Sequence, residues 1–345
     1  MTRVLILATS RKTHGGITSV IKAYEKGYQW KKYNCHWVET NCDGAKWRKI
    51  CYLLMGWFDF LLRIPFYDIV HVHFSAGSSA KRKRPFVMLA KLLKKKVIVH
   101  LHFGIKVEDY WNSDYDYLFS HANVSLLLSE DLKKLISNHI GNTADLRICY
   151  NPCPVVSMEP FYKKEKIVLF SGMLTRNKGY QDLIRAFGKV APKCDGWKLV
   201  MAGDREIEEG RKIAKECNIE DRVVFLGWVK GQMKDEYFRK ASFLCLASYL
   251  EGFPMAVLDA WAYGLPIVST PVGGIPDVAN NGVNMLLFPP GDIEVLAICL
   301  EQMMNNEELR KNIAKESVKL ASTTFNIKTI TKQLGDLYEE LSNKE

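Results

Sequence analysis

The sequence contains no C-x-x-C pair. Its nine cysteines are scattered, and the closest two are Cys149 and Cys153. That excludes the usual zinc-ligand spacings. With apolar contexts such as Cys245 and Cys299, it predicts reduced thiols in a cytosolic protein. Also absent is an uninterrupted run of about 20 apolar residues, the length a spanning helix needs. The nearest run, Cys51 to Tyr67, is interrupted by Asp59 and Arg63 and reads as an amphipathic or core helix. No signal-peptide pattern is present, because Val4–Ala8 is too short an apolar core and runs into Arg11-Lys12. These absences predict a cytoplasmic protein, peripheral on the inner face of the cell membrane if it meets a membrane at all. There is no internal repeat, no low-complexity tract and no signature of DNA or RNA reading, so no nucleic-acid partner is expected.

Acids are scarce in one half only. Residues 1–150 hold 12 Asp/Glu against 23 Lys/Arg, whereas residues 151–345 hold 26 against 25. A basic half suits an anionic membrane surface, nucleic acid or an anionic substrate; the plain alternative is a Lys-rich solvated surface. Lys81-Arg82-Lys83-Arg84 and Lys94-Lys95-Lys96 accompany Trp47, Trp57, Phe58, Phe60 and Phe66. Basic residues among aromatics favour the membrane surface, unless the aromatics are core.

The 345 residues suffice for two domains. The chain opens with an apolar strand, Arg3 to Thr9, then a Gly15-Gly16 loop and a helix from Ile17 to Tyr24. Strand, glycine loop and helix form the first unit of a doubly wound α/β domain. Further strands are expected at 35–40, 68–73, 97–102 and 124–128, with helices at 45–64, 85–95 and 130–139. A Pro-rich, charged stretch at 151–166 reads as the interdomain linker. Strand–helix alternation then restarts, from a strand at 167–171 to a final amphipathic helix at 327–341. The expectation is two Rossmann-like α/β domains facing a central cleft, with ligands beyond the carboxyl ends of the strands.

Residues 249–277, YLEGFPMAVLDAWAYGLPIVSTPVGGIPD, carry the densest chemical signal. Glu251 lies in a Gly/Pro turn and Asp259 follows eight residues later. Eight helical residues span about 12 Å, roughly the separation of the two ends of a folded nucleotide sugar. Free N–H groups at the helix start would face the diphosphate between them. Upstream, Gly172 to Gly179 follows a buried strand and places Arg176 and Lys178 one residue apart, where they can neutralise a diphosphate or merely decorate a turn. Strand alternation puts His100 and His102 on one face, with His102 at the strand end; His73 ends another strand. A hydrogen-bonded core histidine is the competing reading for all three. Asp114-Tyr115-Asp116 is a D-x-D triplet with no preceding apolar strand, and metal binding is not expected there.

These motifs resemble retaining glycosyltransferases of the GT-B fold, family 4 (glycosyl transferases group 1). The similarity runs over nearly the whole chain and is strongest from Ser171 to Asp292. Glu251-Gly252-Phe253-Pro254 matches the start of the family's E-x7-E motif, and Asp259 replaces the second Glu. Gly264-x-Pro266 and Gly273-Gly274-x-x-Asp277 also match. The resemblance implies an acceptor-binding domain at 1–155, a nucleotide-sugar-binding domain at 160–325, and a terminal helix, 327–345, packed back on the first.

It further implies that Glu251 binds the donor sugar, that the segment Gly252, Phe253, Pro254 and Met255 holds sugar and phosphate through its backbone N–H groups (Pro254 has none), that Gly172 also lies at the donor, and that Asp259 binds the ribose. Arg176 and Lys178 become the diphosphate pair, Gly15 and Gly16 the glycine loop at the reaction centre, and His102 the histidine near the donor sugar. Trp228 falls in the base-binding loop. The implied reaction moves a sugar from a nucleotide-diphosphate sugar, a UDP-sugar first, to a saccharide or polyprenyl-linked acceptor, with retention and without metal or cofactor. Bacterial surface polysaccharide synthesis is the leading setting. A cytosolic transferase with a soluble acceptor, and a non-catalytic nucleotide-sugar-binding partner, are the alternatives.

Overall fold

The computed structural model describes residues 2–141, 144–156 and 164–343. Part of the stretch expected as linker, residues 157–163, lies outside the described residues. The chain divides into two compact units, Met1–Pro152 with Phe325–Glu345, and Cys153–Thr324.

The first unit is a six-stranded parallel sheet in the order β2-β1-β3-β4-β5-β6. The strands are β1 (Val4–Ala8), β2 (His36–Glu39), β3 (Ile69–Phe74), β4 (Lys96–Leu101), β5 (Val124–Leu127) and β6 (Leu146–Ile148). The helices are α1 (Gly16–Tyr24), α2 (Tyr28–Lys32), α3 (Lys46–Arg63), α4 (Ser78–Leu92), α5 (Ser113–His121), α6 (Glu130–Ile140) and, from the chain's end, α13 (Ile327–Asn343). Alternation gives the sheet two unlike faces. On one, Val70, Val72, Phe74, Val97, Val99 and Leu101 pack with Phe60, Phe86 and Phe119 into an apolar core. On the other, β3 and β4 present buried histidines against Tyr338 of α13. That helix is tied down through Tyr33, whose hydroxyl donates to the Gly335 carbonyl at 2.9 Å, and through Arg147, which forks onto Glu340 at 2.6 and 2.7 Å.

Two features of this unit differ from expectation. Helix α4 begins at Ser78 rather than 85, with Pro85 inside it. Its basic run, expected as an exposed patch, is largely engaged: Lys83 is buried and donates to Thr40 at 2.5 Å, and Arg84 pairs with Asp114 at 3.0 Å. Burial drives the Lys83 amine well below its ordinary pKa. The D-x-D triplet opens α5: Asp114 pairs as stated, and Asp116 accepts from the Trp111 indole at 2.7 Å. Trp57 and Phe60 belong to the core, where Trp57 stacks on Phe86, whereas Trp47, Phe58 and Phe66 are exposed.

The second unit is another six-stranded parallel sheet, β12-β11-β10-β7-β8-β9. Its strands are β7 (Ile167–Ser171), β8 (Lys198–Ala202), β9 (Val223–Phe225), β10 (Phe243–Leu246), β11 (Ile267–Ser269) and β12 (Leu286–Leu287). Helices α7 (Tyr180–Val190), α8 (Ile207–Glu216), α9 (Gln232–Lys240), α10 (Met255–Ala262), α11 (Ile293–Asn305) and α12 (Glu307–Ser322) flank it. Strand order reverses between β7 and β10. In open parallel sheets that switch point is where the loops part and a ligand can enter.

Candidate active site

The loops leaving β7 and β10 at the switch point are the two that carry the sequence motifs. Glycine lets them close on each other, and lets the loop after β11 close on the β10 loop. Gly179 has φ of 62°, and a Cβ there would lie 1.9 Å from the Ala247 carbonyl oxygen. Gly273 has φ of 63°, and a Cβ would lie 2.3 Å from the Gly252 oxygen. Both conformations are open to glycine and strained for other residues. The close approach is secured by Tyr249 N–H donating to Asn177 O at 2.8 Å and Gly274 N–H to Gly252 O at 2.7 Å.

Within this frame Lys178 Nζ donates to Glu251 Oε1 at 2.6 Å, and Ser248 Oγ donates to the same oxygen at 2.8 Å. The Glu251 side chain is 9% exposed and that of Lys178 25%. Arg176, in the same 3₁₀ turn as Lys178, points into solvent-exposed surroundings. Gly172 heads this loop, its N–H donating to Ala202 O at 3.1 Å. Just beyond Glu251, α10 starts after Pro254 with no side-chain cap. Its first N–H groups and dipole therefore present a positive end.

Asp259 sits differently from expectation. Helix α10 starts only at Met255, so Glu251 and Asp259 do not share one helix. Only the interval from Met255 to Asp259 is helical, a rise of about 6 Å. The Asp259 carboxylate is buried and accepts from Lys234 of α9 at 2.6 Å. Burial raises its pKa above the ordinary carboxylate value, and Lys234 opposes that shift. Trp228 follows β9 and is 46% exposed.

In the first unit, Gly15 caps the start of α1 and Gly16 begins it; a Cβ at Gly15 would meet nothing within 4 Å. His102 follows β4. Its Nε2 and Nδ1 of His73 are hydrogen-bonded at 2.8 Å, and Nδ1 of His71 meets the Tyr338 hydroxyl at 2.9 Å. The β3–β4 register sets His73 opposite His100. Burial holds all four imidazoles neutral: His71 and His102 are pushed down to about 3, and His73 and His100 well below their ordinary value. Donor atoms of His71, His73 and His100 lie within 4.8 Å of one another, close enough to share a metal ion. With Nδ1 of His71 and of His73 already engaged, each has only Nε2 to offer. The sequence reading looked for ligand spacing along the chain, and this group is assembled across two strands.

Sequence reasoning singled out Lys178, Arg176 and Glu251, and the structure brings Lys178 and Glu251 into contact. It missed Ser248, Lys234 and His71. Ser248 had a local signal, three residues before Glu251 at a strand end; Lys234 and His71 had none.

Residues 157–319 match the family described as Glycosyl transferases group 1. Among curated proteins, the chain is 26% identical to N-acetyl-alpha-D-glucosaminyl L-malate synthase of Bacillus anthracis, over 79% of this chain and 75% of that one. It is 28% identical to lipopolysaccharide 1,6-galactosyltransferase of Salmonella typhimurium, over 54% of each, so that match spans about half of that relative. Among solved structures, Anabaena HepE in complex with UDP-glucose superposes with a TM-score of 0.80 at 17% identity, covering 99% of this chain and 100% of that one. At that identity the likeness is one of fold.

Proposed function

We propose that the chain is a group 1 glycosyltransferase, a reading supported by the family match over residues 157–319 and the likeness to the Bacillus anthracis enzyme, and that it moves a sugar from a UDP-sugar to a saccharide or polyprenyl-linked acceptor with retention. Surface polysaccharide synthesis at the inner face of the membrane is the proposed setting. The observation that carries the reading is the Lys178–Glu251–Ser248 contact at the switch point, beside the uncapped start of α10. It joins a cation, a carboxylate and free backbone donors at one place, which is what leaving-group departure requires.

Lys178 and Arg176 would take the negative charge that develops on the departing diphosphate, with the backbone N–H groups of Gly252, Phe253 and Met255 holding its oxygens and Gly172 lying alongside in the β7 loop. Fixed cations in this role make a metal unnecessary to the proposal. Glu251 would bind sugar hydroxyls and stabilise positive charge at the anomeric carbon. Gly273 brings its loop against the Glu251 and Gly252 carbonyls, which leaves no slack in that carboxylate's backbone. Asp259 would receive the ribose through a carboxylate already oriented by Lys234, and Trp228 would flank the base. Gly15, Gly16 and His102 enter through the family resemblance alone; a neutral His102 would exchange hydrogen bonds with the sugar rather than carry charge.

Support for the UDP-sugar comes from HepE, whose complex holds UDP-glucose. Support for a saccharide acceptor comes from the lipopolysaccharide galactosyltransferase. A soluble acceptor has its own support in the N-acetyl-alpha-D-glucosaminyl L-malate synthase relative. The test is a thermal-shift screen of nucleotide sugars followed by a donor-hydrolysis assay with the best of them. A shift with UDP-sugars and slow hydrolysis abolished by Glu251→Ala is the expected result. Binding without turnover on any acceptor would favour a non-catalytic partner. Turnover surviving the double change Glu251→Ala and Lys178→Ala would overturn the site.

A further inference from the structure

We propose that the outer face of α3, with the turn after it and the end of α4, docks the protein on an anionic lipid bilayer. The inference gives a surface to the membrane part of the reading above and does not depend on the chemistry assigned to the second unit. On α3, Trp47, Ile50, Leu54, Phe58, Leu61 and Leu62 are each between 51 and 68% exposed. At about 100° per residue they fall within an arc of about 120° on one side of the helix. The opposite side is the one that packs: Gly56 approaches the Glu39 backbone so closely that a Cβ would lie 2.4 Å from its carbonyl oxygen, and Phe60 is fully buried. A surface helix ordinarily turns its wide apolar stripe to the core. Here the helix packs through a narrow edge and shows that stripe to solvent, a contiguous exposure that marks an interaction surface.

The apolar strip continues past the helix. Phe66, in the turn that follows, is 66% exposed, and Lys95 Nζ donates to the neighbouring Pro65 carbonyl at 3.3 Å. That bond brings the end of α4, with exposed Leu92 and Lys94, beside Phe66.

Charge identifies the occupant. The first turn of α3 holds Lys46, Arg48 and Lys49, all exposed, with no acid and no side-chain cap. Cations there oppose the helix dipole, so they do not serve the helix itself. The helix has one acid, Asp59, and it is held on the flank by His36 at 2.8 Å and Arg63 at 2.6 Å. An apolar face with Lys and Arg at both ends suits the boundary between acyl chains and anionic headgroups. A second copy of the chain fits poorly, because either orientation of α3 on itself sets cations against cations. Among the described residues no helix is long and apolar enough to cross a membrane, so this one would lie in the interface plane.

The experiment is flotation of the full chain with vesicles of phosphatidylcholine, and of phosphatidylcholine mixed with phosphatidylglycerol. Binding at least tenfold tighter to the mixed vesicles is expected, weakened by salt. Leu54→Ser with Phe58→Ser should reduce it at least tenfold, and Lys46→Glu with Lys49→Glu likewise. Neither variant should lower the unfolding temperature or donor hydrolysis, since these side chains are exposed on α3 and the change to Glu at its first turn suits the helix dipole. A protein that floats but turns over no donor would sink the transferase reading and leave this one standing. Vesicle binding indifferent to both variants would overturn the proposal. So would self-association in lipid-free buffer, seen by sedimentation and abolished by Leu54→Ser with Phe58→Ser, since that gives the face to a second copy.

Discussion

Lys178 and Glu251 lie 73 residues apart in the chain, yet the ammonium sits 2.6 Å from the carboxylate. The two loops that carry them leave adjacent strands, β7 and β10, at the point where strand order reverses. A cation held by a carboxylate is oriented before any ligand arrives, which is the preorganisation that makes such groups effective against developing charge.

The first prediction concerns that pair. Lys178→Ala and Glu251→Gln should each lower kcat for donor cleavage by about 10²–10³-fold, the usual effect of removing one preorganised charge-stabilising group. The double variant should lose little more than either single one, because the groups act as a unit. Steady-state kinetics with a UDP-sugar checks this; additive losses would mean the two act separately.

Gly179→Ala should destabilise the protein by more than about 2 kcal/mol, from left-handed backbone strain and collision with the Ala247 carbonyl. The helix start would shift, and Lys178 with it. Urea unfolding measures the first effect and donor hydrolysis the second. A neutral outcome in both would show that the loop contact has slack.

Asp259 has its pKa raised by burial, with Lys234 opposing. A carboxyl whose folded value is raised contributes stability below its unfolded value and loses it as pH rises through the folded value. Asp259→Asn should therefore gain unfolding temperature relative to wild type as pH moves from about 4, the ordinary carboxylate value, toward 7. Lys234, partly exposed, can turn to water. Melting curves across that range decide the matter, and a constant difference between the two proteins would refute it.

The histidines of β3 and β4 run the other way. His71, His73 and His100 are buried with lowered pKa values, His71 at about 3. Their stabilising contribution is complete above the unfolded value near 6.5 and is lost as pH falls from there toward the folded values. Each can contribute a slope of up to about 1.4 kcal/mol per pH unit. Stability should fall steeply below pH 6.5, and His100→Phe should flatten the fall. Calorimetry at successive pH values reads the slope directly.

Reading the sequence was most successful in the second unit, where short buried strands such as Ile167–Ser171 alternate with amphipathic helices such as Tyr180–Val190. It failed where local pattern was weak or ambiguous. Helix α2 is five residues long, too short to show a period. Helix α5 is crowded with Asp, Tyr and Ser, and its Asp residues looked like a D-x-D motif. Pro85 and the preceding cations looked like a helix start and a surface run, yet they lie inside α4 with Lys83 buried.

By itself the sequence determined two α/β arrays, the glycine-flanked motifs and which residues carry charge, because periodicity and turn chemistry are local. Only the tertiary structure decided what those residues touch. Strand pairing sets His73 beside His100 and His102, and the reversal of strand order brings Lys178 to Glu251. Helix packing puts Lys234 on Asp259, a contact no chain spacing encodes. It also decided that α3 faces outward with its apolar side: amphipathicity names two faces, and only packing, here through Gly56 on the Glu39 carbonyl, says which of them meets the core.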